Sequence, residues 1–214
     1  MHMPKNKHCA TYNAAKPQRR RKIIGGMALG DKPTKFGYIS CDLFICRGNP
    51  ESDDPAVIAE LGIDEKYFSS PNPLYDKSSG LVMYDRYSDT VQCYPLGPRT
   101  TPDVEQSFSQ FTMPKDKVQL LRCDNGPEQL AAAKNKGWRT ATSTPGMPQT
   151  NALAERKVRS CKEGGRCNVV QSGFMKDWWQ TAVPHSCSAH NFTMKDGDSP
   201  YNLRHKAGHF SKAT

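Results

Sequence analysis

At 214 residues, the chain has the length of one domain with appendages. A hydrophobic content of 36% and a mean hydropathy of −0.74 allow one modest core, and no run approaches the ~18 apolar residues of a membrane-spanning helix, which excludes such a span. The net charge of +9 is unevenly placed: residues 1–35 hold nine Lys/Arg against one acid, residues 36–154 eleven against fifteen, and residues 155–214 ten against five, so the two ends attract polyanions and the middle does not.

Residues 1–35 read as a basic, disordered arm, rich in Gly and Pro and without apolar periodicity. Its run Arg19-Arg20-Arg21-Lys22 fits a nuclear address and equally a solvated tail. Ile23 to Gly30 is too short and glycine-interrupted for a secretory signal. Phe36 to Ile45, aromatic and β-branched, predicts a first strand. A polar insert over 47–79 follows, with seven acids and the turn-forming run Ser69 to Pro73. Gly80–Asp85 and Thr90–Leu96 predict a hairpin. Thr101-Pro102-Asp103 predicts a helix start, with Thr101 as cap and Phe108 and Phe111 on one face. Lys117–Asp124 reads as a fourth, central strand ending on an acid, and Glu128–Lys136 as a helix stopped by Gly137. Trp138–Thr142 predicts a short strand, Ser143–Thr150 a loop, and Asn151 the cap of a helix through Val158 that Gly164-Gly165 weaken. A last helix over Phe174–Val183 is interrupted or kinked by Pro184 before His185–Asn191. The order β-β-β-α-β-α-β-α-α describes a mixed α/β layered domain.

Eight cysteines are scattered without the two-residue gap of a zinc knuckle or redox motif, so they read as reduced thiols of an intracellular protein. Three acids stand out: Asp42 within the first strand, Asp124 at the end of the fourth, and Glu155 just inside a helix, with 81 and 30 residues between them. A carboxylate among the apolar residues of a strand is expensive to bury without a partner or a metal. Hard cations such as Mg²⁺ take carboxylate oxygens and keep positions for phosphate and water. By spacing alone, caps and solvated strand ends explain the same acids.

The surrounding words are more specific. Cys123-Asp124-Asn125-Gly126-Pro127-Glu128, followed by Thr144-Pro145-Gly146-Met147-Pro148-Gln149-Thr150-Asn151-Ala152-Leu153-Ala154-Glu155-Arg156, closely resembles the catalytic core of retroviral and retrotransposon integrases, the copia type in particular. Upstream, Tyr84–Ser88 and Tyr94-Pro95-Leu96 are similar to that family's second and third strands. Downstream, Trp178–Ala182, His190-Asn191 and Ser199-Pro200-Tyr201 are similar to its closing helices. The likeness covers residues 36–205, with 206–214 a tail.

This resemblance implies a ribonuclease-H-like α/β fold, a mixed sheet flanked by helices. It implies that Asp42, Asp124 and Glu155 are the catalytic, metal-binding triad, holding two Mg²⁺ or Mn²⁺ ions. It implies an integrase-type polynucleotidyl transferase acting on DNA, at element ends and at target DNA, with homo-oligomers admitted. Asp85 falls at a second-strand position that the family uses structurally and stays outside the site. In this reading Arg156, Lys157, Arg159 and Lys162 hold phosphates from one helical face, Gln149 and Asn151 are polar DNA contacts, and loop 143–150 closes over substrate. Trp178 and Trp179 read as packing residues. Three features depart from the family: the gap before Glu155 is short, the insert 47–79 is long, and Gly164-Gly165 and Pro184 sit in helices that the family keeps regular. They leave open a catalytically inactive nucleic-acid-binding module, or a nuclease that only hydrolyses.

Overall fold

The computed structural model describes residues 32–45, 79–97, 99–142, 152–174, 178–195 and 197–206. Residues 1–31 of the arm, residues 47–78 of the insert, loop 143–150 and Asn151 lie outside the described residues, while Ser79, the last residue of the expected insert, is the first of a strand.

Five strands form one sheet: β1 (Tyr38–Ile45), β2 (Ser79–Asp85), β3 (Val91–Leu96), β4 (Leu120–Cys123) and β5 (Thr140–Thr142), in the spatial order β3-β2-β1-β4-β5. β1 pairs antiparallel with β2, as β2 does with β3, while β4 runs parallel to both β1 and β5. The central strand is therefore β1, not β4 as its sequence suggested. β1 pairs along its length with β2 and over Tyr38–Ser40 with β4, so the long first strand holds the middle, and β4, only four residues long, stands between it and the edge strand β5.

Five helices are described: α1 (Thr101–Phe111), α2 (Pro127–Asn135), α3 (Ala152–Ser172), α4 (Trp179–Phe192) and α5 (Pro200–His205). The α1 cap is Thr100, one residue earlier than expected; its hydroxyl accepts from the Asp103 N–H, and Pro102 then sits in the first turn, where a missing N–H costs nothing. Gly137, at φ +68°, ends the α2 segment.

Strand alternation sorts the core into two layers. Ile39, Cys41, Leu81, Met83, Leu121 and Cys123 face α1 and α2, meeting Val104, Phe108, Phe111, Ala132 and Ala133. The alternate residues Phe44, Val82, Tyr84, Val91 and Cys93 face α3 and α4, meeting Cys161, Val183 and Cys187. Trp179 packs edge-on against Phe44, with ring centroids 5.5 Å apart, and Trp178 stacks on Phe174 at 4.8 Å.

Two expected helix defects are structural requirements. α3 runs unbroken through Gly164-Gly165, and a Cβ on Gly165 would overlap Val183 Cγ2 and lie 3.2 Å from the Val183 backbone. A Cβ on Gly164 would overlap the Ser186 hydroxyl. The glycines allow α3 and α4 to approach closely, a gain in packing that outweighs their weak helix propensity. α4 likewise continues through Pro184 rather than breaking there. Asn191, buried on α4, grips the backbone of edge strand β3: its Oδ1 accepts from the Val91 N–H at 2.9 Å and its Nδ2 donates to the Val91 carbonyl at 2.8 Å. The pair satisfies backbone groups that β2 leaves free and covers an edge open to aggregation.

Candidate carboxylate site and its basic helix face

Asp42 lies near the middle of β1, opposite Val82 of β2. Its parity matches that of Phe44, so it belongs to the sheet face covered by α3. β4 carries Leu121 and Cys123 toward α1 and α2, which puts Asp124, just past the end of the strand, on the alternate parity with Arg122. Glu155 occupies the first turn of α3, on the covered face. The pairing of β1 with β4 and the packing of α3 across the sheet thus converge on one end of one face.

The electrostatics reflect that convergence. Asp42 is half-buried, and its carboxyl is pushed up to about 6 from an ordinary 3.8. Burial is the main cause; a hydrogen bond from the Leu43 backbone N–H acts the other way, and the charges of Asp124 and Glu155 raise it further. Asp124 and Glu155 are both exposed, and Asp124 Oδ1 accepts from the Asn125 N–H at 2.8 Å. Asp42, with two other carboxylates within electrostatic reach of it, offers the hard oxygen donors that suit Mg²⁺ or Mn²⁺. Among the described residues, no group of three or more His, Cys, Asp or Glu side chains is closed tightly enough to hold an ion as it stands.

Beneath the site, each aspartate follows a buried thiol. Cys41 and Cys123 face one another through a hydrogen bond that raises Cys41 and lowers Cys123, and the Cys41 thiol also donates to Gln129 Oε1 at 3.4 Å. These contacts tie β1, β4 and the start of α2 together below Asp42 and Asp124.

The basic residues of α3 divide into two sets. Arg156 and Arg159 are exposed, and Lys162 leans over Phe44 with its ammonium 5.4 Å from the ring centroid. Exposed Arg166, missed in the sequence, extends the row: Glu155, Arg159, Lys162 and Arg166 follow the helical spacing of one stripe, a signal readable without coordinates. Lys157 lies on another side of the helix. Its Nζ is 2.7 Å from Asp89 Oδ1 and 4.1 Å above the Tyr84 ring, so it leaves the set of phosphate contacts. The expected contacts Gln149 and Asn151 lie outside the described residues.

Asp85 is structural, as its place in the second strand implied. One carboxylate oxygen accepts from the Gly37 N–H, and the other from the Ser88 N–H at 2.8 Å and the Ser88 hydroxyl at 2.7 Å, which locks the β2–β3 turn.

No protein-family model matches the chain. Among solved structures it is similar to the catalytic core domain of BIV integrase, at 17% identity and a TM-score of 0.49, over 79% of this chain and 95% of that one. It is also similar to a chain of a simian T-cell lymphotropic virus intasome in complex with PP2A regulatory subunit B56 gamma, at 14% identity and a TM-score of 0.56, over 82% of this chain. The match spans 56% of that longer chain. At such identity the likeness shows architecture alone, and the architecture is the ribonuclease-H-like α/β fold, a five-stranded mixed sheet flanked by helices.

Proposed function

We propose that this chain is the core of an integrase-type polynucleotidyl transferase, processing DNA 3′ ends and joining them to target DNA for a retroelement. The observation that carries the reading is Asp42. A carboxylate in the central strand, on the helix-covered face, feels the charges of two others from which 81 and 112 residues of chain separate it. Such an arrangement is costly to folding and useful to a divalent cation, and the integrase-like words around Asp124 and Glu155 match it.

In this reading Asp42, Asp124 and Glu155 hold two Mg²⁺ or Mn²⁺ ions. The chemistry supplied by a bound ion pair is Lewis-acid stabilisation of the attacking and leaving oxygens of an in-line displacement at phosphorus. The protein's own part is placement. In the proposed site the β1–β4 pairing, extended in register, sets Asp42 beside Asp124, and the first turn of α3 supplies Glu155. Arg159, Lys162 and Arg166, running away from Glu155 along one stripe, with Arg156 beside them, supply phosphate contacts that orient a duplex without reading its sequence. Gln149 and Asn151, just before α3, add polar DNA contacts. Residues 36–205 form the catalytic unit, preceded by the basic arm and followed by the short tail, and the active form is a homo-oligomer.

Incubation of the protein with Mn²⁺ and a DNA duplex mimicking an element end tests this, with Asp124→Asn as control. Joined products, absent in the variant, support the integrase reading. Nicks without joining point to a nuclease, and retention of DNA with neither product points to an inactive binding module.

A further inference from the structure

Glu155 stands exposed in the first turn of α3, where the helix has few backbone partners of its own. Buried Ala154, together with Leu153 and Val158 packed on the core, holds this end of α3 against the sheet. This apolar face, with the close approach of Gly164 and Gly165 to α4, sets the rotation of α3 as a whole, but none of these contacts is a directional bond beside Glu155. Lys157, two residues after Glu155, makes the directional contact: its ammonium meets Asp89 at 2.7 Å, with both side chains largely buried.

Asp89 is an unusually fixed partner. It occupies the left-handed region at φ +64°, rare for a residue with a side chain, and its N–H donates to the Asp85 carbonyl at 3.1 Å within the turn that Asp85 and Ser88 lock. His190 of α4 places Nε2 3.1 Å from the Asp89 carbonyl oxygen and 3.4 Å from Oδ2, and Lys195 lies 3.7 Å from Oδ2. Burial would raise the Asp89 carboxyl, but His190, Lys157 and the Tyr84 hydroxyl together hold it well below the usual carboxylate range. One carboxylate therefore ties the β2–β3 turn to α3 and α4.

We infer that Asp89 and Lys157 are positioning residues, which fix the rotation of the start of α3 and thereby the placement of Glu155 toward Asp42. The inference rests on the proposed cation site and deepens it. Neither residue touches the reacting atoms; each acts through Glu155.

Calorimetric titration of the full chain with Mn²⁺ alone, beside its thermal melt, tests it. Lys157→Met removes the ammonium but keeps an unbranched side chain of similar length and leaves Asp89 with His190 and Lys195, so folding is retained; Mn²⁺ affinity falls about tenfold, in the range expected on removing a residue that orients a ligand. Lys157→Arg restores affinity. Lys195→Met, in the same cluster but not on α3, leaves affinity unchanged. A Lys157→Met protein with wild-type Mn²⁺ affinity overturns the inference, whether or not its melting point drops, and so does a variant that loses only DNA affinity. Wild-type protein that binds no Mn²⁺, or binds it equally well as Glu155→Gln, refutes the proposed cation site itself, and the inference falls with it.

Discussion

Replacing Asp42 with Asn stabilises the cation-free protein at neutral pH, and the pH dependence of that gain reports the cost of the site. The Asp42 carboxyl ionises near 3.8 in an unfolded chain and near 6 in the folded one. Below about pH 4 both states are protonated and the side chain contributes nothing. Between about pH 4 and 6 the unfolded chain releases its proton while the folded chain keeps it, so stability falls as pH rises. Above 6 both are ionised and the folded state bears the full penalty. At about 1.4 kcal/mol per pKa unit the penalty approaches 3 kcal/mol, and because Asp42 is only half-buried, solvent screening reduces it to roughly 1–2 kcal/mol. Asparagine of the same shape keeps an acceptor for the Leu43 N–H and escapes the penalty. For a chain of this size that is a rise in melting temperature of roughly 3–6 °C at pH 8, absent at pH 4. Calorimetric melts of both proteins across this range provide the assay. Excess Mn²⁺ reverses the order, because a cation that binds only the folded wild type raises its stability. An Asp42→Asn protein that is no more stable at pH 8, or that gains equally at pH 4, refutes the idea that burial, helped by two like charges, raises this carboxyl in the folded chain.

Gly165→Ala destabilises by about 1–3 kcal/mol in urea unfolding, because overlap with Val183 exceeds the ~1 kcal/mol that alanine gains in helix propensity. A stabilised variant would mean that α3 and α4 are not closely packed. Asn191→Ala costs about 2 kcal/mol, leaving the Val91 N–H and carbonyl without partners, and hydrogen exchange at the Val91 amide accelerates with it. The double change Arg159→Ala, Lys162→Ala lowers DNA affinity and reduces the slope of log affinity against log salt by about 1 for each phosphate no longer neutralised, while Lys157→Met leaves that slope unchanged. An unaltered slope in the double variant removes the stripe from the interface.

Most of the architecture was legible because it is local. The aromatic and β-branched run of β1, the hairpin of β2 and β3, the Thr-Pro-Asp start of α1 and the glycine after α2 are signals carried by a few adjacent residues, and each of these elements formed within a few positions of its expectation. The identity of the central strand was not legible, because pairing partners are chosen by the whole sheet. Gly164-Gly165 and Pro184 read as defects for the same reason: propensity is a property of one helix, whereas the close approach of Gly165 to Val183 is a property of two.

The sequence by itself singled out Asp124 and Glu155, because the words around them are specific and short, and Asp42, because it is an acid within an apolar strand. It also contained the basic stripe, Arg166 included, since helical spacing is arithmetic. Only the tertiary structure decided which basic residues are available. Lys157 looked like its neighbours in the run Glu155-Arg156-Lys157, but the rotation of α3 turns it toward Asp89, a residue 68 positions away. Only the fold could show that Asp42 shares a face with α3 and feels two distant charges, since a carboxylate's surroundings are set by chain segments that the local sequence does not contain.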